Sequence, residues 1–328
     1  MDKTLLSNSK GNQVLPYMKN NMITKASLLF TNSNPSSKIG SFSQFPLVRI
    51  IIAMLFIFPV FIFFKLFKDL IVLPSPEEYR SYIQYAGAFI SFVLMILAYS
   101  LYVKYMEKRK VYELTVKHSW LEFGKGFLIT SGLVCMVVFI LYRCGYYQVS
   151  SWNPNKLIAG DLFVKFLMGA LIEEIIFRLI VFKLTEELLG TWVAFGIQVL
   201  FFGFSHGLNE NATLFTSLAV AVIGGVLYTA AFMYYRRLWI ILGLHTGWNF
   251  LQSGIFGMPN SGSPYEGVII PHIQGKEWLT GGSFGIEASY IAILLCIAVG
   301  IFFIIKAKNS NQIVQPVWIR KRESILQN

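Results

Sequence analysis

A chain of 328 residues in which 55% are hydrophobic, 16% aromatic and 14% charged is too apolar for a soluble globular protein of this length and belongs in a membrane. Its formal net charge of +11 is spread over tails and short connections between apolar runs, so it reads as membrane topology and argues against nucleic acid as a partner. The cysteines, Cys135, Cys144 and Cys296, are isolated, which excludes a paired disulfide framework and a thiolate metal site.

Residues 1–44 are rich in Ser, Asn and Lys and have no apolar core beside the first basic residues. They predict a disordered cytoplasmic tail rather than a cleaved signal peptide. A helix crosses the hydrocarbon with about 20 mainly apolar residues. Such runs occupy Phe45–Phe64, Tyr85–Val103, Gly126–Tyr142, Leu162–Phe182, Trp192–His206, Thr213–Tyr234, Leu238–Gly254 and Ile286–Ile305. The expected fold is all-α, a polytopic membrane bundle of about eight transmembrane helices over residues 45–305. A basic cytoplasmic tail, 306–328, follows. The fifth and seventh runs are short, contain glycine and carry a histidine, which suits burial inside the bundle rather than contact with lipid.

With the amino terminus inside, eight crossings return the chain to the same side. The richest basic connections then lie together: Lys104, Lys108, Arg109, Lys110, Lys117 and Lys125, then Arg236 with Arg237, then the stretch from Lys306 to Arg322. The opposite loops carry fewer cations, among them Arg80, Arg143, Lys156 and Lys276, although Lys65 and Lys68 run against the trend. Both termini are therefore expected on the inner side of a cytoplasmic membrane. The connection from Lys104 to Lys125 mixes charge with Val111, Leu114, Trp120 and Phe123, which predicts a short helix at the membrane interface. Residues 255–285, with Pro259, Pro264, Pro271 and the Gly281-Gly282 pair, predict a long loop that caps a site.

The fourth run holds Glu173, Glu174 and Arg178. Charges at bilayer depth cost several kcal/mol unless they pair or face a wet cavity, so they mark function. On a helix, Glu174 and Arg178 share a face and suit a buried ion pair, while Glu173 lies about 100° away and is left to address a neighbouring helix. The fifth run adds His206, in Phe202-Gly203-Phe204-Ser205-His206, and the seventh adds His245 and Asn249, four residues apart on one face. Depths of about 10–20 Å, at 1.5 Å per residue, make a common cavity feasible. A carboxylate, two histidines and an amide suit addition of water to a carbonyl: Glu173, oriented by His206, takes the proton, and His245 and Asn249 donate to the oxyanion. Glu173, His206 and His245 are equally the ligand types of a catalytic zinc site. The absence of a helical HExxH pair tilts the reading away from a metal cofactor. Asn209 and Asn211 read as a turn or cap, and His118 and His272 as surface residues.

The three stretches Glu173-Glu174-Ile175-Ile176-Phe177-Arg178, Phe202 to His206 and His245 to Asn249 resemble the motif signature of the CPBP (Abi) family, intramembrane CAAX proteases and bacteriocin-processing enzymes of bacterial type. Gly247-Trp248-Asn249-Phe250-Leu251-Gln252 and Ile255-Phe256-Gly257-Met258-Pro259 resemble bacterial members as well. The similarity extends over roughly 114–305. It implies a membrane endopeptidase with a glutamate-activated water, acting on a membrane-associated protein or peptide that is prenylated or is a bacteriocin or signal peptide. Carried over by motif, Glu173 and His206 activate the water, Glu174 and Arg178 support them, and His245 and Asn249 form the oxyanion site. Leu179 departs from the family, which commonly has Gly after the arginine. The competing readings are a zinc-dependent form of the same protease, a proton-coupled transporter using Glu173 and the histidines as a relay, and a noncatalytic immunity or scaffold protein.

Overall fold

A computed structural model of the chain describes residues 24–31, 38–154, 160 and 162–326. Eight long helices dominate the described residues. They are α1 Pro46–Val72, α2 Glu77–Glu107, α3 Ser119–Arg143, α4 162–189, α5 Thr191–Leu208, α6 Leu214–Tyr235, α7 238–255 and α8 Tyr290–Asn309. All except α4 and α7 are long and apolar enough to cross a membrane. The expectation of eight spans is thus met by six on length and composition. The other two depart for a physical reason. Helix α4 carries Lys165, Glu173, Glu174, Arg178, Lys183, Glu186 and Glu187, and α7, buried at every position of 240–248, is the inner helix around which the others pack.

Close approach of backbones fixes α7 against α3. A Cβ on Gly243 would sit 2.1 Å from Phe123 O, and one on Gly247 would sit 2.6 Å from Phe127 O, so only glycine fits at these two points. Glycines four apart let helix backbones meet in this way. Thr130 Oγ1 completes the contact by donating to Leu244 O at 2.7 Å. His245 lies between the two glycines in sequence and faces away, towards α4.

At one end of the bundle α1, α2 and α4 are tied by buried charge. Glu107 accepts from Lys183 Nζ at 2.7 and 2.8 Å and from Arg109 Nε at 2.8 Å, with Arg49 Nη1 at 3.6 Å. Arg109 also binds Glu113 at 2.7 and 2.8 Å, and Tyr99 donates to Glu113 at 2.5 Å. Burial would push the Glu113 carboxyl up, yet the Arg109 guanidinium beside it holds it down at about 2. Glu186 receives Arg236, whose Nη2 also donates to Gln312 O at 2.6 Å.

This network replaces the interfacial helix expected between Lys104 and Lys125. Helix α2 runs on to Glu107, Lys108 turns the chain with a φ of 52°, a single short turn covers Tyr112–Leu114, and α3 begins at Ser119. The buried Arg109 and Glu113 pin the connection inward, so it cannot lie as an amphipathic helix on the surface.

Two further expectations change. Within the segment through Gln44 expected to be disordered, the described residues 24–31 and 38–44 are folded. Ala26, Leu29 and Phe30 are buried, Ala26 N–H donates to the Gln312 side chain at 3.1 Å, and Lys38–Ser43 is a helical turn. The apolar run Leu28-Leu29-Phe30 gives this stretch a face to bury. Lys156 and the rest of the tail lie outside the described residues. Among the described residues the all-α bundle also carries one small antiparallel ribbon, β1 Tyr147–Trp152 with β2 Ile269–Ile273, in the register Tyr147 to Ile273 and Trp152 to Ile269, with an irregularity between Val149 and Ser151. It anchors the long α7–α8 connection, 256–289, over the end of the bundle opposite the charge network.

Candidate active site

Helix α4 delivers both glutamates. Glu174 is fully buried, and its Oε1 accepts from Arg178 Nη1 at 3.0 Å within the helix. Arg178 Nη2 reaches α6, where it donates to Gly224 O at 2.5 Å, and its guanidinium lies 4.2 Å over the Phe202 ring of α5. Both Arg178 and Gly224 fall in π-helical turns, Ile175–Phe182 and Ala221–Tyr228. Such turns open the regular backbone ladder and are frequent at functional sites. One guanidinium thereby braces three helices.

Glu173, rotated away from that pair as helical phase requires, keeps about a third of its side chain exposed. Its Oε2 stands 3.8 Å from His206 Nε2 and 3.9 Å from His245 Nε2. Those separations exceed a direct hydrogen bond, and among the described residues that oxygen has no hydrogen-bond partner.

The histidine tautomers follow from what each Nδ1 meets. His206 Nδ1 lies 2.9 Å from Phe202 O. A carbonyl only accepts, so Nδ1 carries the proton and Nε2 presents a lone pair towards Glu173. His245 Nδ1 lies 2.8 Å from Glu174 Oε1, so it donates to that carboxylate and its Nε2 also points to Glu173. The rings of Tyr228 and Phe202 flank His245, with centroids 5.1 and 6.4 Å away.

These groups share a cleft of about 120 Å³, lined by Glu173, His206, His245 and Asn249, and by Asn209, Ser261 and Glu287 from the connections. The residues singled out from sequence, Glu173, His206, His245 and Asn249, are thus brought together, and Glu174 with Arg178 lies directly behind them. Asn209 and Asn211 donate to Ser261 O and Gly262 O at 2.9 and 3.0 Å, joining the α5–α6 turn to the α7–α8 connection at the rim. His118 and His272 are exposed.

Glu287 is the residue that motif reasoning missed. It is 5% exposed, and its carboxyl accepts from Ser261 N at 2.8 Å and Ser261 Oγ at 3.0 Å. Burial raises its pKa to about 7, against the lowering effect of the Ser261 and Gln252 hydrogen bonds. It precedes α8, at the start of the apolar run that begins at Ile286, and the rule that flags a charge in such a run applied to it as much as to Glu173.

Glu173, His206 and His245 are also the side chains that would hold a zinc ion. Atoms bound to one tetrahedral zinc lie about 3.3 Å apart, closer than the separations here. No group of three or more His, Cys, Asp or Glu side chains among the described residues has the arrangement of a metal site.

Comparison with curated proteins and with solved structures gave no match. Comparison with family models gave one over residues 155–251, described as type II CAAX prenyl endopeptidase Rce1-like. That segment contains Glu173, Glu174, Arg178, His206, His245 and Asn249, the same residues the fold gathers around the cleft. Over this core, about three tenths of its length, the chain is similar to the type II CAAX prenyl endopeptidases of the Rce1-like family.

Proposed function

We propose that the cleft hydrolyses a peptide bond with water activated by Glu173. Oε2 of Glu173, facing two imidazole Nε2 atoms across gaps of 3.8 and 3.9 Å, is the observation that carries this reading. A water in that space can bridge carboxylate and imidazole where they do not touch directly. Glu173 takes the proton as the water oxygen attacks the carbonyl carbon, and returns it to the leaving amine when the C–N bond breaks. His206, held by Phe202 O, orients the water through its free Nε2. His245 keeps Nδ1–H on Glu174, so a proton on Nε2 makes it a cationic donor to the oxyanion, balanced by the Glu174 carboxylate. Asn249, one turn further along α7, supplies a second donor.

The reading extends to a multi-pass protein of a bacterial cytoplasmic membrane with both termini inside, supported by the concentration of Lys and Arg at one end of the bundle. Its substrate is a membrane-associated protein or peptide, which in the matching family's description is a CAAX prenyl protein.

The test is cleavage by purified protein and by its Glu173→Ala variant, with folding of the variant checked by thermal unfolding in detergent. Cleavage that survives the substitution removes the mechanism. A chelator that abolishes turnover, with zinc restoring it, replaces the metal-free mechanism with one in which Glu173, His206 and His245 hold the ion.

A further inference from the structure

The connections at the two ends of the bundle differ in charge and in what they cover. At one end lie 108–118, 236–237 and 310–316, close to the Glu107 and Glu186 ion pairs. This end carries exposed Lys104, Lys108, Lys110 and Lys117, Lys306 and Lys308 in the last turn of α8, and Lys321 and Arg322 beyond it. At the other end lie 73–76, 144–154, 209–213 and 256–289, where the described cations are fewer: Lys65, paired with Asp69 at 2.8 Å, Lys68, Arg80, Arg143, Lys165, which lies over the Tyr265 ring, and Lys276. Connections rich in Lys and Arg stay on the cytoplasmic side.

The cleft belongs to the cation-poor end. Asn209, Asn260, Ser261 and Glu287, all from connections at that end, line its mouth. His206 is within one turn of the α5 terminus Leu208. Glu173 stands about 16 Å from the start of α4 but about 24 Å from its other end, at 1.5 Å per residue. The far end of α4 and α6 is occupied instead by the buried Lys183, Glu186 and Arg236, none of which lines the cleft.

We propose that this site opens on the non-cytoplasmic face, so that its substrate is a polypeptide segment lying against the outer surface of the membrane, from an exported or membrane-inserted protein. The proposal rests on the hydrolytic reading of the cleft and fixes the face from which it is supplied. A prenylated tail displayed in the cytoplasm cannot reach a cleft that opens there.

Native Cys144 is exposed at the cleft end, and Lys110 is exposed at the other. The experiment treats right-side-out and inverted vesicles carrying the full chain with a membrane-impermeant maleimide. It compares the native protein, Cys144→Ser, and Lys110→Cys in the Cys144→Ser background. The same vesicles receive a pool of impermeant quenched-fluorescent peptides, with Glu173→Ala vesicles as the blank. Cys144 labels in right-side-out vesicles, Lys110→Cys labels only in inverted ones, and peptide turnover in inverted vesicles waits for detergent. Labelling and turnover with the faces exchanged overturn the proposal. Absence of turnover even in detergent removes the hydrolytic reading and its substrate, while the maleimide pattern still decides the face.

Discussion

His245 Nδ1 donates to Glu174 Oε1 across 2.8 Å, so a carboxylate paired within α4 also sets the orientation of a ring on α7. Arg178 occupies the same Oε1 from 3.0 Å. The pair therefore does more than neutralise buried charge: it holds His245 Nε2 towards the cleft. Replacing Glu174 by Gln keeps the shape and removes the negative charge opposite the imidazole. The expected result is a kcat about 100-fold lower with KM little changed, in a protein that unfolds near the normal temperature. Arg178→Ala instead leaves Glu174 buried without its cation, which costs about 3–5 kcal/mol and shows first as a lower unfolding temperature. Equal losses of stability in the two variants would reduce Glu174 to a brace.

The α3–α7 contact makes a second prediction. A side chain at Gly243 meets Phe123 O, a backbone atom that cannot swing aside, so Gly243→Val must separate the helices. Overpacking of this kind costs about 1–3 kcal/mol. Because His245 is two residues on, turnover should fall as well. Gly132→Ala on α3, where an added Cβ meets nothing within 4 Å, is the control and should leave both properties unchanged. The comparison is read by unfolding temperature and by peptide cleavage.

How far the sequence discloses this molecule depends on whether a feature is local. Glu173, Glu174 and Arg178 stand out because each is costly in an apolar run, and helical phase alone separates the free carboxylate from the pair. The apolar runs disclose the helices for the same reason. The Glu107 network does not show, because Arg49 and Lys183 come to Glu107 from 58 and 76 positions away and each reads as an ordinary charge near a helix end. The ribbon is hidden too: Tyr147–Trp152 is mostly polar and exposed, and its partner contains Pro271. Glu174 shows the limit most clearly. Its partner Arg178 is four residues away and legible, whereas its partner His245 is 71 away and emerges only from the fold.

The Glu107 network should be needed for folding rather than chemistry. Arg109 is buried between Glu107 and Glu113, and Arg109→Ala leaves two carboxylates facing each other with one cation fewer. A loss of about 3–5 kcal/mol is expected, visible as poor recovery of folded protein from membranes and a lower unfolding temperature. Any folded fraction should keep its KM and kcat, since the network lies at the end of the bundle away from the cleft. A specific loss of kcat in well-folded Arg109→Ala would link the two ends.

Glu287 gives the pH dependence its direction. Burial lifts its carboxyl to about 7 from an ordinary 4.5. Between those values the native protein holds a proton that the unfolded chain has already released, so stability falls as pH rises through this window and is flat outside it. The full effect is up to about 3 kcal/mol. Glu287→Gln cannot ionise, and its unfolding temperature should lose this component of the slope between pH 5 and pH 7. Above pH 7 the variant should match or exceed the wild type, because there the native carboxyl carries a buried charge. Ser261, which donates to both carboxyl oxygens, is the sensor for the same event: in Ser261→Ala the hydroxyl donor to the carboxylate is gone, and the fall in stability should extend to higher pH. Identical slopes in wild type and Glu287→Gln would show that Glu287 is already ionised across the whole range.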